Sequence, residues 1–265
     1  MCCRTLFALL AGVFPLTPGI AFGQSTEQHA HETIEVEVPD VPDTGPRADL
    51  DAVAKAIVEQ TNAFRKKEGR EPVVSDGALT AAAKEFAQFM AKADKYGHTA
   101  DGRQPSERAK ARKYNYCIVL ENIAYAFDSR GFSDDKLTGD FVTGWEKSPG
   151  HRRNMLDNDV TETGVAVARS EKTGHYYAVQ MFGRPDSAAI AFGIANHSER
   201  AVEYTVGDQS FTLKPRYTRT HKLCRPAEIA FKGIGEGAGP MTFKPVADDK
   251  YVVTTDGEKL QIKKE

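Results

Sequence analysis

The chain of 265 residues has only four cysteines and one tryptophan, and its charges nearly cancel at a formal net charge of -2. A balance so close to zero creates no large field, which argues against nucleic acid or an anionic membrane surface as the partner. There is no CxxC pair, no GxSxG elbow and no GxxxxGK[ST] phosphate loop. His31 and Glu32 open the string HETIE, which lacks the second histidine of a helical HExxH motif. These absences exclude elbow-type serine hydrolases, P-loop nucleotide enzymes and helix-based zinc proteases. No internal repeat or low-complexity tract is present. The longest apolar run, residues 6–14, falls well short of the roughly 20 residues that span a bilayer, so no transmembrane anchor is expected.

That run has the layout of an export signal. Arg4 precedes it, and the small residues Ala21 and Gly23 follow it. Residues 1–23 therefore read as a cleavable signal peptide, cut before Gln24 and taking Cys2 and Cys3 with it. The mature protein is expected to be secreted or periplasmic. Cys117 and Cys224 then remain, either as one disulfide or as two buried thiols, and a chain of this length needs no disulfide to build a core.

Residues 24–48 carry Pro39, Pro42 and Pro46 in polar surroundings and read as a linker, with a short edge strand at Ile34, Val36 and Val38. His29 and His31 within it read as solvated side chains rather than metal ligands. Over residues 49–186 helical periodicity comes first. Leu50, Val53, Ile57, Thr61 and Phe64 form one apolar face, and Leu79, Ala82, Ala83, Phe86 and Met90 form another, capped by Ser75 or Asp76. A short helix is expected after Pro105. A further one carries Leu137, Phe141, Val142 and Trp145 and ends at Pro149 and Gly150. Two strands, 164–169 and 175–183, flank a Ser-Glu-Lys-Thr-Gly turn as a hairpin. Residues 187–265 alternate at period two with no helical period, and Asp256-Gly257 marks a hairpin, so a small β-sandwich is expected there. The whole reads as α+β with an all-β C-terminal domain.

Three residues from separate segments are candidates for one cleft: His98 in YGHTADG, Glu121 in LENIAYAF and His151 in GWEKSPGHRRNML. Neutral imidazoles and a carboxylate can bind a divalent metal such as zinc, with the glutamate as ligand or orienter. A histidine and a glutamate can equally form a general-base pair. The bland alternatives are a histidine that hydrogen-bonds a turn and a glutamate that accepts from loop N–H groups. Ser148 reads as shaping the turn before His151 rather than as a nucleophile, and Trp145 as core. Gln180, among apolar strand neighbours, needs a partner. His221 near Cys224 reads as packing with a surface imidazole.

Taken in series, TNAFRKKEGREPVVSDGALTAAAKEFAQFMA, HTADG, LENIAYAF, GWEKSPGHRRNML, TETGVAVA and YYAVQMFG resemble the bacterial branch of the CAP superfamily, named for cysteine-rich secretory proteins, antigen-five and pathogenesis-related proteins. The resemblance spans roughly residues 52–184. It implies an α-β-α sandwich, secretion, and a cleft in which His98, Glu121 and His151 match the first histidine, the glutamate before asparagine and the second histidine. A second cleft glutamate, three residues after the tryptophan in animal and plant members, is replaced here by Ser148. Glu146 cannot stand in for it, because one helical step turns a side chain about 100° rather than about 300°.

The function implied is a non-enzymatic secreted binding module for a small hydrophobic ligand, a divalent metal or an extracellular or periplasmic partner. His98 and His151 are its expected metal ligands and no cofactor is required. The alternative is a metal-dependent or acid/base hydrolase, peptidase-like, acting at the same cleft.

Overall fold

A computed structural model describes residues 45–234 and 240–265, together with the backbone of 20–22 and 34–35. His29, His31, Pro39, Pro42 and most of the leader lie outside the described residues. Strand β1, Ile20–Phe22, at the end of the segment read as leader, pairs antiparallel with the later strand at Ala124, Tyr125 and Ala126. β2, Ile34–Glu35, falls where an edge strand was expected.

Helix α1 is Leu50–Lys67, and the Asp49 carboxylate accepts from the backbone N–H groups of Asp51 and Ala52 at its start. β3 is Val74–Ser75, and α2, Gly77–Ala93, is capped by Asp76, which accepts from Leu79 N at 2.8 Å. β4, Lys95–Tyr96, pairs with β2. Then come α3, Pro105–Ala111, β5, Tyr116–Ala126, α4, Asp134–Lys147, α5, Pro149–Met155, β6, Glu162–Arg169, and β7, Tyr176–Pro185. β6 and β7 form the expected hairpin.

These strands make a five-stranded sheet in the order β1-β5-β7-β6-β3. Successive side chains of β7 alternate between its two faces. Tyr176, Ala178 and Phe182 pack with Val53, Ile57 and Phe64 of α1 and with Leu137, Phe141 and Trp145 of α4. Tyr177, Val179 and Met181 pack with Leu79, Ala83, Phe86 and Met90 of α2. This is an α-β-α sandwich, and both helical faces read from the sequence point inward. Gly164 lets α2 approach β6 closely, since a Cβ there would lie 2.2 Å from the backbone of Leu79 and Thr80. Gln180 has its partner: its amide donates to Thr61 Oγ1 at 3.0 Å from the facing helix.

The Ser-Pro-Gly segment differs from its reading as a helix-ending turn. α4 does stop at Lys147, but Pro149 is the first residue of α5. Proline suits that position because the first helical N–H needs no partner. His151 therefore sits in the first turn of a helix rather than behind a loop.

Beyond a short 3-10 turn, Asp186–Ala188, the chain is all β. Its strands are β8, Ile190–Asn196, β9, Val202–Val206, β10, Gln209–Leu213, β11, Thr218–Leu223, β12, Ile229–Phe231, β13, Met241–Phe243, β14, Lys250–Asp256, and β15, Lys259–Lys264. They form two four-stranded sheets, β10-β9-β12-β13 and β11-β8-β14-β15. One core joins the two: Val202, Tyr204, Ile229 and Phe231 from the first meet Phe192, Ile194, Tyr251 and Val253 from the second. This is the extra β domain. His221, read as a surface imidazole, is instead buried against Phe192, Tyr204 and Phe211, because β11 turns it into this core. Cys117 and Cys224 form a disulfide with Cα atoms 5.2 Å apart, which closes 107 residues of chain.

Candidate functional site

Glu121 lies on β5 and is fully buried. A buried carboxylate must be neutralised or paired, and here it is paired twice. Arg108 of α3, itself fully buried, places Nη2 at 3.0 and 2.8 Å from the two carboxylate oxygens. His98 places Nδ1 at 2.8 Å from Oε1. Burial pushes the Glu121 carboxyl up, but the Arg108 charge and the His98 contact outweigh it and hold the group below its ordinary value. An ionised carboxylate can only accept, so His98 donates to it from Nδ1.

Arg108 is the hub. Its Nη1 donates to Asp101 Oδ1 at 2.8 Å and to the Arg103 carbonyl at 2.7 Å, and its Nη2 also donates to the His98 carbonyl at 2.8 Å. The Phe86 ring of α2 lies 3.6 Å below the guanidinium. The same side chain thus fixes the backbone of His98 and the carboxylate that orients its imidazole. Tyr96, two residues before His98, donates from its hydroxyl to the Ile123 carbonyl at 3.1 Å, and Trp145 Nε1 donates to that same carbonyl at 3.1 Å. Trp145 is therefore core, as its phase on α4 implies, with its one polar atom satisfied.

His151 reaches the site through α5. Asn122, next to Glu121 but on the other face of β5, donates to the His151 carbonyl at 3.2 Å. Asn154 donates to the Glu121 carbonyl at 3.1 Å and to Asn122 Oδ1 at 2.9 Å. These two amides clamp α5 to β5. The His151 ring is fully buried, and burial, with a smaller contribution from the nearby charge of His98, lowers its pKa to about 3. It is a neutral imidazole at any ordinary pH. Ser148 forms the joint between the helices: its carbonyl accepts from Arg152 N at 2.8 Å.

The structure thus brings His98 onto Glu121 and holds His151 close enough for a charge on His98 to lower the His151 pKa. Sequence reasoning missed Arg108, Asn122 and Asn154 as parts of this site. Arg108 stands among other cations of a short polar helix, so no pattern singled it out; ASN after GLU in LENIA was the one available hint for Asn122. The metal reading fits less well than the residue types suggested. Both Glu121 oxygens and His98 Nδ1 are occupied, leaving two imidazoles where zinc takes three or four protein ligands. Among the described residues no group of three or more His, Cys, Asp or Glu is placed to hold a metal ion.

A three-layer α-β-α sandwich defines the class. Residues 58–182 match the model of the cysteine-rich secretory protein family, CAP. The uncharacterized protein YkwD of Bacillus subtilis (strain 168) is 29% identical over 142 residues, covering 53% of this chain and 51% of its own, so the chain spans about half the length of that curated relative. Among solved structures, an outer surface protein of Borrelia burgdorferi has a TM-score of 0.45 at 20% identity, covering 54% of this chain and 99% of its own. An extracellular protein of Bacillus anthracis that contains an SCP domain has a TM-score of 0.43 at 23% identity, covering 51% of this chain and 41% of its own. It is residues 58–182 that carry this likeness to the cysteine-rich secretory protein family, CAP.

Proposed function

We propose that the protein is an exported binding module whose cleft, centred on His98, Glu121 and His151, accepts a ligand group that donates a hydrogen bond or carries positive charge. One observation carries this reading. His98 Nδ1 is committed to Glu121, while its Nε2 is buried and has no hydrogen-bond partner among the described residues. In the neutral ring that leaves an oriented acceptor nitrogen for an incoming hydroxyl, ammonium or cation. Export is supported by the secretory family match, by the layout of residues 1–23 and by the disulfide, which persists in oxidising compartments.

The same oriented imidazole suits a general base, which is the observation in favour of the hydrolase reading. Against it, Arg108 holds the Glu121 charge already. Native mass spectrometry of protein secreted into culture fluid, with zinc titration of the stripped protein by calorimetry, tests the reading. The wild type is expected to retain a small molecule or to bind zinc, and His98→Ala to lose it. If His98→Ala and His151→Ala both keep wild-type binding, the cleft is not the site. Casein turnover abolished by His98→Ala would favour the hydrolase instead.

A further inference from the structure

Two adjacent residues of the β domain reach into the α-β-α sandwich, and each reaches a different wall of the cleft. Cys224, just past β11, is bonded to Cys117. Cys117 stands at an irregularity of β5, where the register with β7 shifts between Tyr116 and Ile118. A bulge of this kind re-aims one side chain out of the ladder. Four residues further along the same strand is Glu121. Cys224 also packs against the hydrophobic core that holds α1, α4 and Ile118. Arg225, the next residue, grips the loop that leaves α5. Its Nη1 lies 3.0 Å from Asp157 Oδ1 and 2.7 Å from Asp159 Oδ2, and its Nη2 lies 2.8 Å from Asp157 Oδ2. Asp157 comes six residues after His151. From the opposite side Arg65 of α1 holds the same loop, donating to the carbonyls of Met155 at 2.6 Å and Asp157 at 3.0 Å.

We infer that the C-terminal β domain sets the geometry of the cleft, because Cys224 anchors the strand that carries Glu121 while Arg225 anchors the end of the helix that carries His151. The inference rests on the reading of that cleft as the binding site. A fork-shaped guanidinium across two carboxylates fixes orientation as well as distance, and a disulfide fixes the other wall covalently. Cys224 and Arg225 are positioning residues: neither belongs to the site. The β domain in this arrangement is a brace that holds the separation between β5 and α5.

The test uses the full oxidised chain and reads protein geometry, not ligand. Arg225→Ala keeps the disulfide, and the double variant Cys117→Ser with Cys224→Ser keeps the ion pairs. Amide hydrogen exchange of 149–155 and 116–126, with the imidazole 15N signals of His98 and His151, is compared with exchange in α2 as an internal reference. Arg225→Ala is expected to speed exchange across 149–155 by about fivefold, the size of a lost fork-shaped ion pair, and to move the His151 signal. The double variant is expected to move the His98 signal and loosen 116–126, and α2 keeps its exchange in both. Changes confined to 190–264, with both imidazole signals at their wild-type positions, would overturn the inference. If the double variant does not fold, Arg225→Ala decides alone. Loss of binding in His98→Ala without any effect of Arg225→Ala would leave the binding reading standing and sink the brace.

Discussion

The half-buried His98 of the α-β-α sandwich and the buried His221 of the β domain are held in opposite ways. His98 in the α-β-α sandwich leans on a carboxylate that is itself held by a guanidinium, and one of its ring nitrogens has no partner among the described residues. His221 in the β domain sits among Phe192, Tyr204 and Phe211, and its Nε2 meets the Tyr204 hydroxyl at 2.8 Å. Burial lowers the pKa of His221, with the charge of Arg219 adding to it. A buried imidazole is thus no evidence of a site. Buried charge around it is, because ionised groups withdrawn from water weaken a fold unless they are fully paired.

The largest effect expected from breaking that contrast is at Arg108. Arg108→Met leaves Glu121 buried without its counter-charge, and truncating one partner of a buried pair costs about 3–5 kcal/mol. Urea unfolding should show this as a lower midpoint at unchanged slope. Adding Glu121→Gln to Arg108→Met removes the stranded charge and should recover much of the loss. A double variant as weak as the single one would mean that Arg108 acts through packing on Phe86 rather than through charge.

Next comes the covalent tie between the two regions. Replacing Cys117 and Cys224 by serine removes a link across 107 residues of chain, with an expected loss of about 2–4 kcal/mol. Calorimetry of the double variant should then resolve two transitions where the oxidised protein is expected to show one. A single unshifted transition would contradict the tie.

Acid supplies the third comparison. Folded His151 binds its proton only near pH 3, whereas the unfolded chain binds it near 6.5. Between those values the unfolded state holds more protons, so stability falls as pH falls through that window, by up to about 1.4 kcal/mol per pH unit from this group. Glu121 adds in the same direction at the acid end, since its folded pKa is lowered and its stabilisation is lost as it protonates. His151→Phe should flatten the upper part of the window, measured by urea midpoints from pH 7 to pH 4. An unchanged slope would mean that His151 already charges in the folded state.

Much of this was legible in the sequence, and the limits have physical causes. The faces of α1 and α2 were readable because one side of each helix meets the sheet, so the helical period shows. β5 was not, because both of its faces are covered: Glu121, Ile123 and Tyr125 look one way while Asn122 and Ala124 look the other, all within packed layers. Strands buried on both sides lose their alternation. Pro149 misled because proline ends one helix and begins another equally well. His98, Glu121 and His151 were readable as candidates by residue type, and the family motifs placed them together. Arg108 was out of reach, since only the folded chain brings α3 against β5.

The smallest expected effect closes the comparison. Tyr204→Phe removes the hydroxyl that meets His221 Nε2 and keeps the ring that stacks on Phe211 and Phe231. The hydrogen bond to His221 is lost together with the hydroxyl's interaction with Arg219, so the expected change is about 1 kcal/mol, several-fold below that of Arg108→Met. The two ring nitrogens decide the sign of a further signature. With the phenol gone, His221 Nε2 is left unsatisfied in an aromatic box, and the His221→Phe change on top of it should restore stability rather than weaken it further, because both partners of the bond are then apolar. A double variant less stable than Tyr204→Phe alone would show that His221 contributes through a polar contact beyond Tyr204, and the β-domain histidine would have to be weighed as a second site instead of a core residue.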